Sequence, residues 1–562
     1  MSKQPWWQHA VVYQVWPRSF ADSDGNGVGD LGGVIAKLDY LAKLGIDVLW
    51  LSPFYPSPQH DYGYDISDYQ GVDPQFGTLE QFDALVAAAH ERGIRVIIDV
   101  VLNHTSHEHP WFLESRSSPD SPKRDWYWWR ETPNNWGSFF SVPAWTWDEQ
   151  AGAYYLNLFA PEQPDLNWEN PEVRHALYDM LRWWLDRGVD GFRMDVINLV
   201  SKRTDLPDGP VPPGQTLGNG FEFFANGPRI HEFLQEMHEQ VYGDRKQIRL
   251  TVGEMPGSTV PEARLYTDPA RAEVDMVFQF DHMSLDHGPT GKYDLAPLDL
   301  RDLKANFRAW TEGLAGVGWN SLYWNNHDQP RIVSRWGDDG EHRVRSAKAL
   351  GTLLHLHPGT PYIYMGEELG MTNYPFSSLD DVADVEGVRY AEEAAAAGLD
   401  PEEILNAVRA RGRDNARSPM QWDDSPNGGF TAGTPWFPVN PSYRSINAAN
   451  QVDDPDSVFN HYRALIALRH DEPAVVHGDF TMLLPDDPQV YGFTRRLAST
   501  ELLVLVNVSG EPAVVELPAA GWGDAELVLG GPDSSLQPAP APAGTIGLQP
   551  WESRVLRRSV AG

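Results

Sequence analysis

Four short stretches carry the side chains most able to do chemistry. Asp99-Val-Val-Leu-Asn103-His104 closes one apolar run, and Gly191-Phe-Arg193-Met-Asp195-Val196 closes another. Val252-Gly253-Glu254 and Asn325-Asn326-His327-Asp328 end two more. Together they offer three carboxylates (Asp195, Glu254, Asp328), two imidazoles (His104, His327) and the Arg193 guanidinium. Carboxyl groups can serve as acid, base or nucleophile, and a cation beside one of them decides which form it takes. One such residue alone is ordinarily half of a structural ion pair. Four groups occupying the same place at a strand end are not explained by packing. The 562 residues include no cysteine, which excludes a thiolate nucleophile, a disulfide framework and a Cys-ligated metal.

The elements that must hold these groups are legible in the pattern of apolar residues. Short β-branched runs occur at Val11–Trp16, Asp47–Leu51, Arg95–Leu102, Val189–Val196, Ile248–Gly253, Val274–Phe280, Ser321–Trp324 and Pro361–Met365. Amphipathic stretches separate them, as at Leu31, Val34, Ile35, Leu38, Leu41 and Leu44, which follow helical spacing. Gly45, Gly93 and Gly188 each precede a strand, as left-handed helix C-caps do. Near-continuous apolar strands joined by helices make a parallel sheet covered on both faces. Eight β/α units in series predict a (β/α)8 barrel, whose active face lies at the C-terminal strand ends; an open doubly wound sheet is the alternative. The Trp-, Pro- and Ser-rich stretch 105–171 reads as an inserted subdomain after the third strand. The barrel then comprises 1–104 and 172–474. From residue 475 to 562, short runs (Val490–Thr494, Leu502–Asn507, Ala513–Leu517, Glu526–Leu529) split by Gly, Pro and Asp predict a small antiparallel, sandwich-like β-domain. Leu536–Thr545, rich in Pro and Ala, reads as an ordered loop.

Charge narrows the partners. With 44 Lys and Arg against 79 Asp and Glu, the net charge of −35 disfavours nucleic acid and anionic membranes. It favours a small neutral or cationic ligand. No apolar run reaches membrane-spanning length, and Met1–Trp7 has no signal-like core, so the expected compartment is the cytoplasm. No obligate protein partner is evident. One metal site is suggested: Asp22, Asp24, Asn26 and Asp30, with the Val28 carbonyl, alternate as oxygen donors between Gly25, Gly27 and Gly29. That spacing suits a hard cation such as calcium. Gly33 stands where a full EF-hand carries its bidentate Glu.

These four stretches resemble the signature regions of the α-amylase family of glycoside hydrolases, family 13, and the resemblance extends over essentially the whole chain. It implies that Asp195 is the nucleophile, Glu254 the general acid/base and Asp328 a third carboxylate that stabilises the transition state. It assigns His104, Arg193 and His327 to the sugar in the cleaved-residue subsite. Asp61-Tyr-Gly-Tyr64-Asp65 implies Asp61 on the terminal glucose hydroxyls and Tyr64 beneath the ring. Arg413-Asp-Asn-Ala-Arg417-Ser-Pro-Met-Gln421-Trp422 resembles the α-glucosidase branch, with Arg413 paired to Asp61 across a blind pocket. In that branch the calcium loop is structural and remote from catalysis.

The residue after the nucleophile tracks linkage in this family, and Val196 implies α-1,6 preference. Gln163-Pro-Asp165-Leu-Asn167-Trp168 resembles the same oligo-1,6-glucosidase group, whereas Tyr62 stands where many α-1,6 enzymes carry Asn. The expected activity is therefore retaining, exo-acting hydrolysis of terminal α-linked glucose from short neutral oligosaccharides. The alternatives are an α-1,4-preferring glucosidase, or glucosyl transfer and sucrose isomerisation through the same covalent intermediate. A non-catalytic sugar-binding or transporter-associated relative would require a damaged triad or a membrane helix.

Overall fold

The computed structural model describes residues 5–243, 249–516, 522–533 and 545–560. Eight parallel strands form one sheet: β1 (Val12–Val15), β2 (Val48–Leu51), β3 (Arg95–Val101), β4 (Gly191–Asp195), β5 (Leu250–Glu254), β6 (Met276–Phe278), β7 (Ser321–Tyr323) and β8 (Thr360–Tyr364). The order is β7-β8-β1-β2-β3-β4-β5-β6. A parallel bridge between Val277 and Asn320 brings the two ends together, so the sheet closes as a barrel rather than staying open. Each expected strand is present; most are shorter than expected, while β5 runs on to Glu254 and β8 begins one residue earlier, at Thr360. Ile248, where the fifth was expected to begin, lies outside the described residues.

The helices form for local reasons and then bury one stripe. In α3 (Leu79–Glu91), Thr78 and Gln81 make a reciprocal capping box, and Phe82, Leu85, Val86 and Ala89 face the barrel. Helix α4 (Pro171–Asp186) starts on the Asn170 side chain with Pro171 in its first turn. It buries Val173, Leu177, Leu181 and Trp184, each worth roughly 1.5–3 kcal/mol when fully buried. Gly45, Gly93 and Gly188 have φ of 99°, 76° and 102°, the left-handed conformation expected of them. Helices α1 (Leu31–Ala36), α2 (Leu38–Leu44), α5 (Ile230–Tyr242), α6 (Val260–Thr267), α7 (Leu300–Leu314), α8 (Arg343–His355) and α11 (Val458–Asp471) complete the outer layer.

Three segments rise over the C-terminal mouth. The inserted stretch carries a three-stranded antiparallel sheet of Trp129–Arg130, Ala153–Leu156 and Trp145–Asp148. A short hairpin pairs His287–Gly288 with Gly291–Leu295 after β6. After β8, α9 (Val385–Ala396) and α10 (Pro401–Arg411) start on the side chains of Asp384 and Asp400. The pattern reading had not singled out these last two helices.

Beyond α11 the chain forms β9 (Asp479–Leu483), β10 (Val490–Leu497), β11 (Thr500–Asn507), β12 (Ala513–Glu516), β13 (Glu526–Gly530), β14 (Thr545–Leu548) and β15 (Ser553–Ser559). A five-stranded antiparallel sheet, β9-β10-β11-β15-β13, packs with the pair β12-β14 around Leu503, Leu505, Val515, Leu548 and Leu556. Leu517 and most of the Leu536–Thr545 stretch lie outside the described residues. Among the described residues no helix is long and apolar enough to cross a membrane.

Candidate active site

Parallel register builds the centre of the site. Asp99 on β3 pairs with Arg193 on β4, which pairs with Val252 on β5. Side chains alternate faces along a strand, so Arg193 and Asp195 point the same way, into the barrel mouth. Arg193 Nη1 lies 2.7 Å from both Asp99 Oδ1 and Asp195 Oδ1, and Nη2 lies 2.7 Å from Glu254 Oε2. All four groups are buried. Trp50 and Tyr64 place their rings 5.4 and 5.9 Å from the guanidinium.

One positive charge among three carboxyls cannot keep all of them ionised in a buried site. Burial pushes Asp195 well above the usual carboxylate range, and Glu254 and Asp99 add to the rise against the downward pull of Arg193. Arg193 touches Asp195, but burial outweighs its pull in the free site.

The turn after Asp195 is strained. Val196 adopts φ 36°, ψ 43°, a left-handed conformation in a β-branched residue, at a cost of roughly 1–3 kcal/mol. In that conformation its N–H donates to Glu254 Oε2 at 3.2 Å. The strand exit and the Glu254 carboxyl are thereby locked together.

Asp328 sits in the loop after β7, turned by Asn326 Oδ1 accepting its N–H at 2.8 Å. His327, Arg413 and Arg417 reach it at 3.1, 3.2 and 2.9 Å. Burial opposes its charge, but those three neighbours outweigh it and hold Asp328 well below the usual range. His327 is fixed by Gln14 at 3.0 Å and by Tyr64, whose ring stacks on it at 5.1 Å and 10°. Asp65 shapes the Asp61 turn by accepting the N–H groups of His60 and Asp61. Asp61 lies 3.4 Å from Arg413, as expected. Burial raises its pKa to about 6 despite Arg413 and Arg417.

Two parts of the site were not foreseen. Asp384, the N-cap of α9, is the shared counter-ion of Arg413 and Arg417, at 2.7 and 2.8 Å. Its only sequence signal is an Asp before a helical stretch; nothing names its partners. The second part is a buried relay. Lys202 Nζ lies 2.9 Å from Asp165, 2.9 Å from Asn103 and 2.7 Å from the Leu199 carbonyl. Asn103 lies 3.3 Å from His104, which is 3.2 Å from Gln163, which donates to Asp61 at 3.1 Å. Burial, aided by Lys202, lowers the His104 pKa to about 3, so its imidazole is neutral at pH 7.

The metal-loop residues lie apart from this network. Asp22, Asp24 and Asp30 bring carboxylate oxygens within 4.8 Å of one another. Their hydrogen-bond donors are amides and hydroxyls: Asp22 takes Gly25, Gly27 and Thr431, and Asp30 takes Ser23 and Gly33. Asn26 Oδ1 accepts the Val28 N–H at 2.8 Å. Gly27 permits the close approach, since a Cβ there would meet the Thr434 carbonyl at 1.8 Å.

A closed β/α barrel with a carboxyl cluster at its mouth is the architecture of a glycoside hydrolase. The chain matches the alpha-amylase catalytic domain over residues 14–478 and belongs to that family. It is 53% identical over 559 residues to an oligo-1,6-glucosidase of Parageobacillus thermoglucosidasius, covering 98% of this chain and 99% of the relative. It is 48% identical to a glucan 1,6-alpha-glucosidase of Streptococcus dysgalactiae subsp. equisimilis, with both chains fully covered. A solved trehalose-6-phosphate hydrolase of Bacillus licheniformis superposes with a TM-score of 0.92 at 44% identity, covering 99% of this chain and all of the other.

Proposed function

We propose that this protein is a retaining exo-α-glucosidase that removes terminal glucose from short oligosaccharides, with preference for the α-1,6 linkage. The observation that carries this reading is the Arg193 fork, which holds Asp195 and Glu254 on neighbouring strands at equal 2.7 Å contacts. Retention requires two carboxyl groups about 5–5.5 Å apart on opposite sides of the anomeric carbon. Glu254 protonates the glycosidic oxygen while Asp195 attacks C1 and forms a glucosyl ester. Glu254 then takes a proton from water, which releases glucose with its original configuration. Asp328 and neutral His104 bond sugar hydroxyls, and the Asp328 bonds strengthen as the ring flattens.

The Asp61–Arg413–Asp328 chain supports exo action, as a salt-bridged wall that would stand at the blind end of the pocket. Val196 and the names of the two 1,6-glucosidase relatives support the linkage. Hydrolysis is favoured over isomerisation because the arginines after Asp328 are engaged in the fold. Arg331 binds the Met365 and Ala416 carbonyls, and Arg335 pairs with Asp286. Initial rates on isomaltose, maltose, sucrose and trehalose test the reading, with isomaltose fastest. Faster maltose cleavage overturns the linkage preference, and isomaltulose or trehalulose accumulating from sucrose overturns hydrolysis.

For the Asp22–Asp30 loop, we propose a structural calcium ion held by Asp22, Asp24, Asn26, Asp30 and the Val28 carbonyl. Three convergent carboxylates with no Lys or Arg among their bonded partners, in the described residues, support it. The cytoplasm is the proposed compartment, which cell fractionation tests.

A further inference from the structure

Two adjacent acids, Glu367 and Glu368, stand on a short helix (Glu367–Leu369) just after β8, and both are buried. They serve different neighbours. Glu368 accepts from Tyr13 of β1 at 2.8 Å, from Tyr40 of α2 at 2.6 Å and from the Gly366 N–H at 2.9 Å. That set staples the barrel wall. Glu367 turns instead to the loop after β7. Its Oε2 accepts from Asn325 Nδ2 at 2.5 Å, and its Oε1 accepts from the Tyr462 hydroxyl of α11 at 2.9 Å.

Asn325 closes the loop that carries Asp328. Its Oδ1 accepts the Ile332 N–H at 2.6 Å, so one side chain ties the two ends of residues 325–332 together. Inside that loop Asn326 Oδ1 accepts the Asp328 N–H at 2.8 Å, and His327 reaches Asp328 at 3.1 Å. A turned Asn325 amide would present a donor to the Ile332 N–H and open the loop. The Glu367 oxygen prevents this from the adjacent strand, since β7 and β8 pair in the sheet. Burial raises the Glu367 pKa to about 8, and Glu368 adds to the rise against the bonds from Tyr462 and Asn325. As a neutral acid Glu367 still accepts from Asn325 at Oε2, while its own O–H can donate to the Tyr462 oxygen. Arg331, whose charge is felt by both carboxyls, spends its guanidinium on the Met365 and Ala416 carbonyls. A leucine would fill the space without the cost of burying an acid, so packing alone leaves Glu367 unexplained.

We propose that Glu367 is a positioning residue for Asp328: through Asn325 it fixes the loop that presents the Asp328 carboxyl to the sugar. The inference rests on the reading of Asp328 as the carboxylate whose bonds strengthen in the transition state, and adds the residue that aims it. Glu367 should therefore act on kcat more than on KM. Glu367→Ala should lower kcat on isomaltose about tenfold, the scale of one or two hydrogen bonds, with KM changed by less than about twofold. Glu367→Gln, whose amide accepts from Asn325 and donates to Tyr462 as the neutral acid does, should keep kcat within about twofold of wild type. Tyr462→Phe, which keeps the ring, should lower kcat about threefold and carries the test if the alanine variant does not fold. In an Asp328→Asn background, assayed on an aryl α-glucoside, Glu367→Ala should cost less than about twofold more, because residues acting through one group are not additive. An undiminished loss in that background, a Gln variant as slow as the Ala variant, or an unaltered kcat in both Glu367→Ala and Tyr462→Phe overturns the positioning role. Wild-type kcat in Asp328→Asn itself overturns the reading of Asp328 instead.

Discussion

Two acidic clusters in this protein solve the same electrostatic problem in opposite ways. At the barrel mouth, Asp99, Asp195 and Glu254 crowd around Arg193, a cation built into β4 and sealed from water. In the loop before α1, Asp22, Asp24 and Asp30 converge with only amide and hydroxyl donors, and Asp24 is exposed. The first cluster is gathered around a covalently fixed guanidinium, and burial outweighs that charge at Asp195. The second has no cationic side chain among its bonded partners in the described residues. The cluster sealed in the barrel is suited to chemistry, and the partly exposed one to holding a loop.

The largest effect should come from breaking the buried cluster at Asp195, the proposed nucleophile. Asp195→Asn should lower kcat at least about 10³-fold, the scale on which removing a covalent nucleophile acts. The fold should not suffer. The raised folded-state pKa of Asp195 means that its ionisation opposes folding as pH rises through it, and the amide removes that cost. Activity within tenfold of wild type would overturn the assignment.

The second substitution sharpens the division of labour inside the same cluster. Glu254→Gln should lose about 10²–10⁴-fold on isomaltose, but far less of the glycosylation rate on an aryl α-glucoside whose leaving group needs no proton. Pre-steady-state release of the aryl group checks this, and equal losses on both substrates contradict the acid role.

A smaller effect separates the cluster from the pocket wall. Asp61 has its pKa raised to about 6 by burial. Its charged form, which pairs with Arg413 and is proposed to accept sugar hydroxyls, is lost as pH falls through that value. The acid limb of kcat/KM should therefore fall near pH 6, and Asp61→Asn should move it. A limb that stays in place belongs to the Asp195–Glu254 pair.

The smallest effect on turnover should come from the exposed cluster. A cation bound only by the folded state raises stability by mass action. Chelation should lower the melting temperature while kcat at moderate temperature changes little. Asp22→Ala with Asp24→Ala should reproduce the drop and abolish the response to chelator. An unchanged melting curve, with no calcium found by elemental analysis, would leave the loop a turn.

By itself the sequence determined the alternation of strand and helix, the left-handed glycines before β2, β3 and β4, and the strand ends on which Arg193, Asp195 and Glu254 stand. These are local facts, set by a two-residue side-chain period and by the conformational range of glycine. Tertiary structure decided what neighbouring residues do to each other. Arg193 is two residues from Asp195, yet its reach to Asp99 and Glu254 depends on the register of three strands. Asp384 lies 29 positions from Arg413 and on another element, so no spacing rule points to their contact. The direction of the Asp195 shift could not be read from its neighbour in sequence either, because burial is a property of the packed barrel. Covalent neighbours fix which groups are offered, and only packing fixes the distances and dielectric that choose their charge.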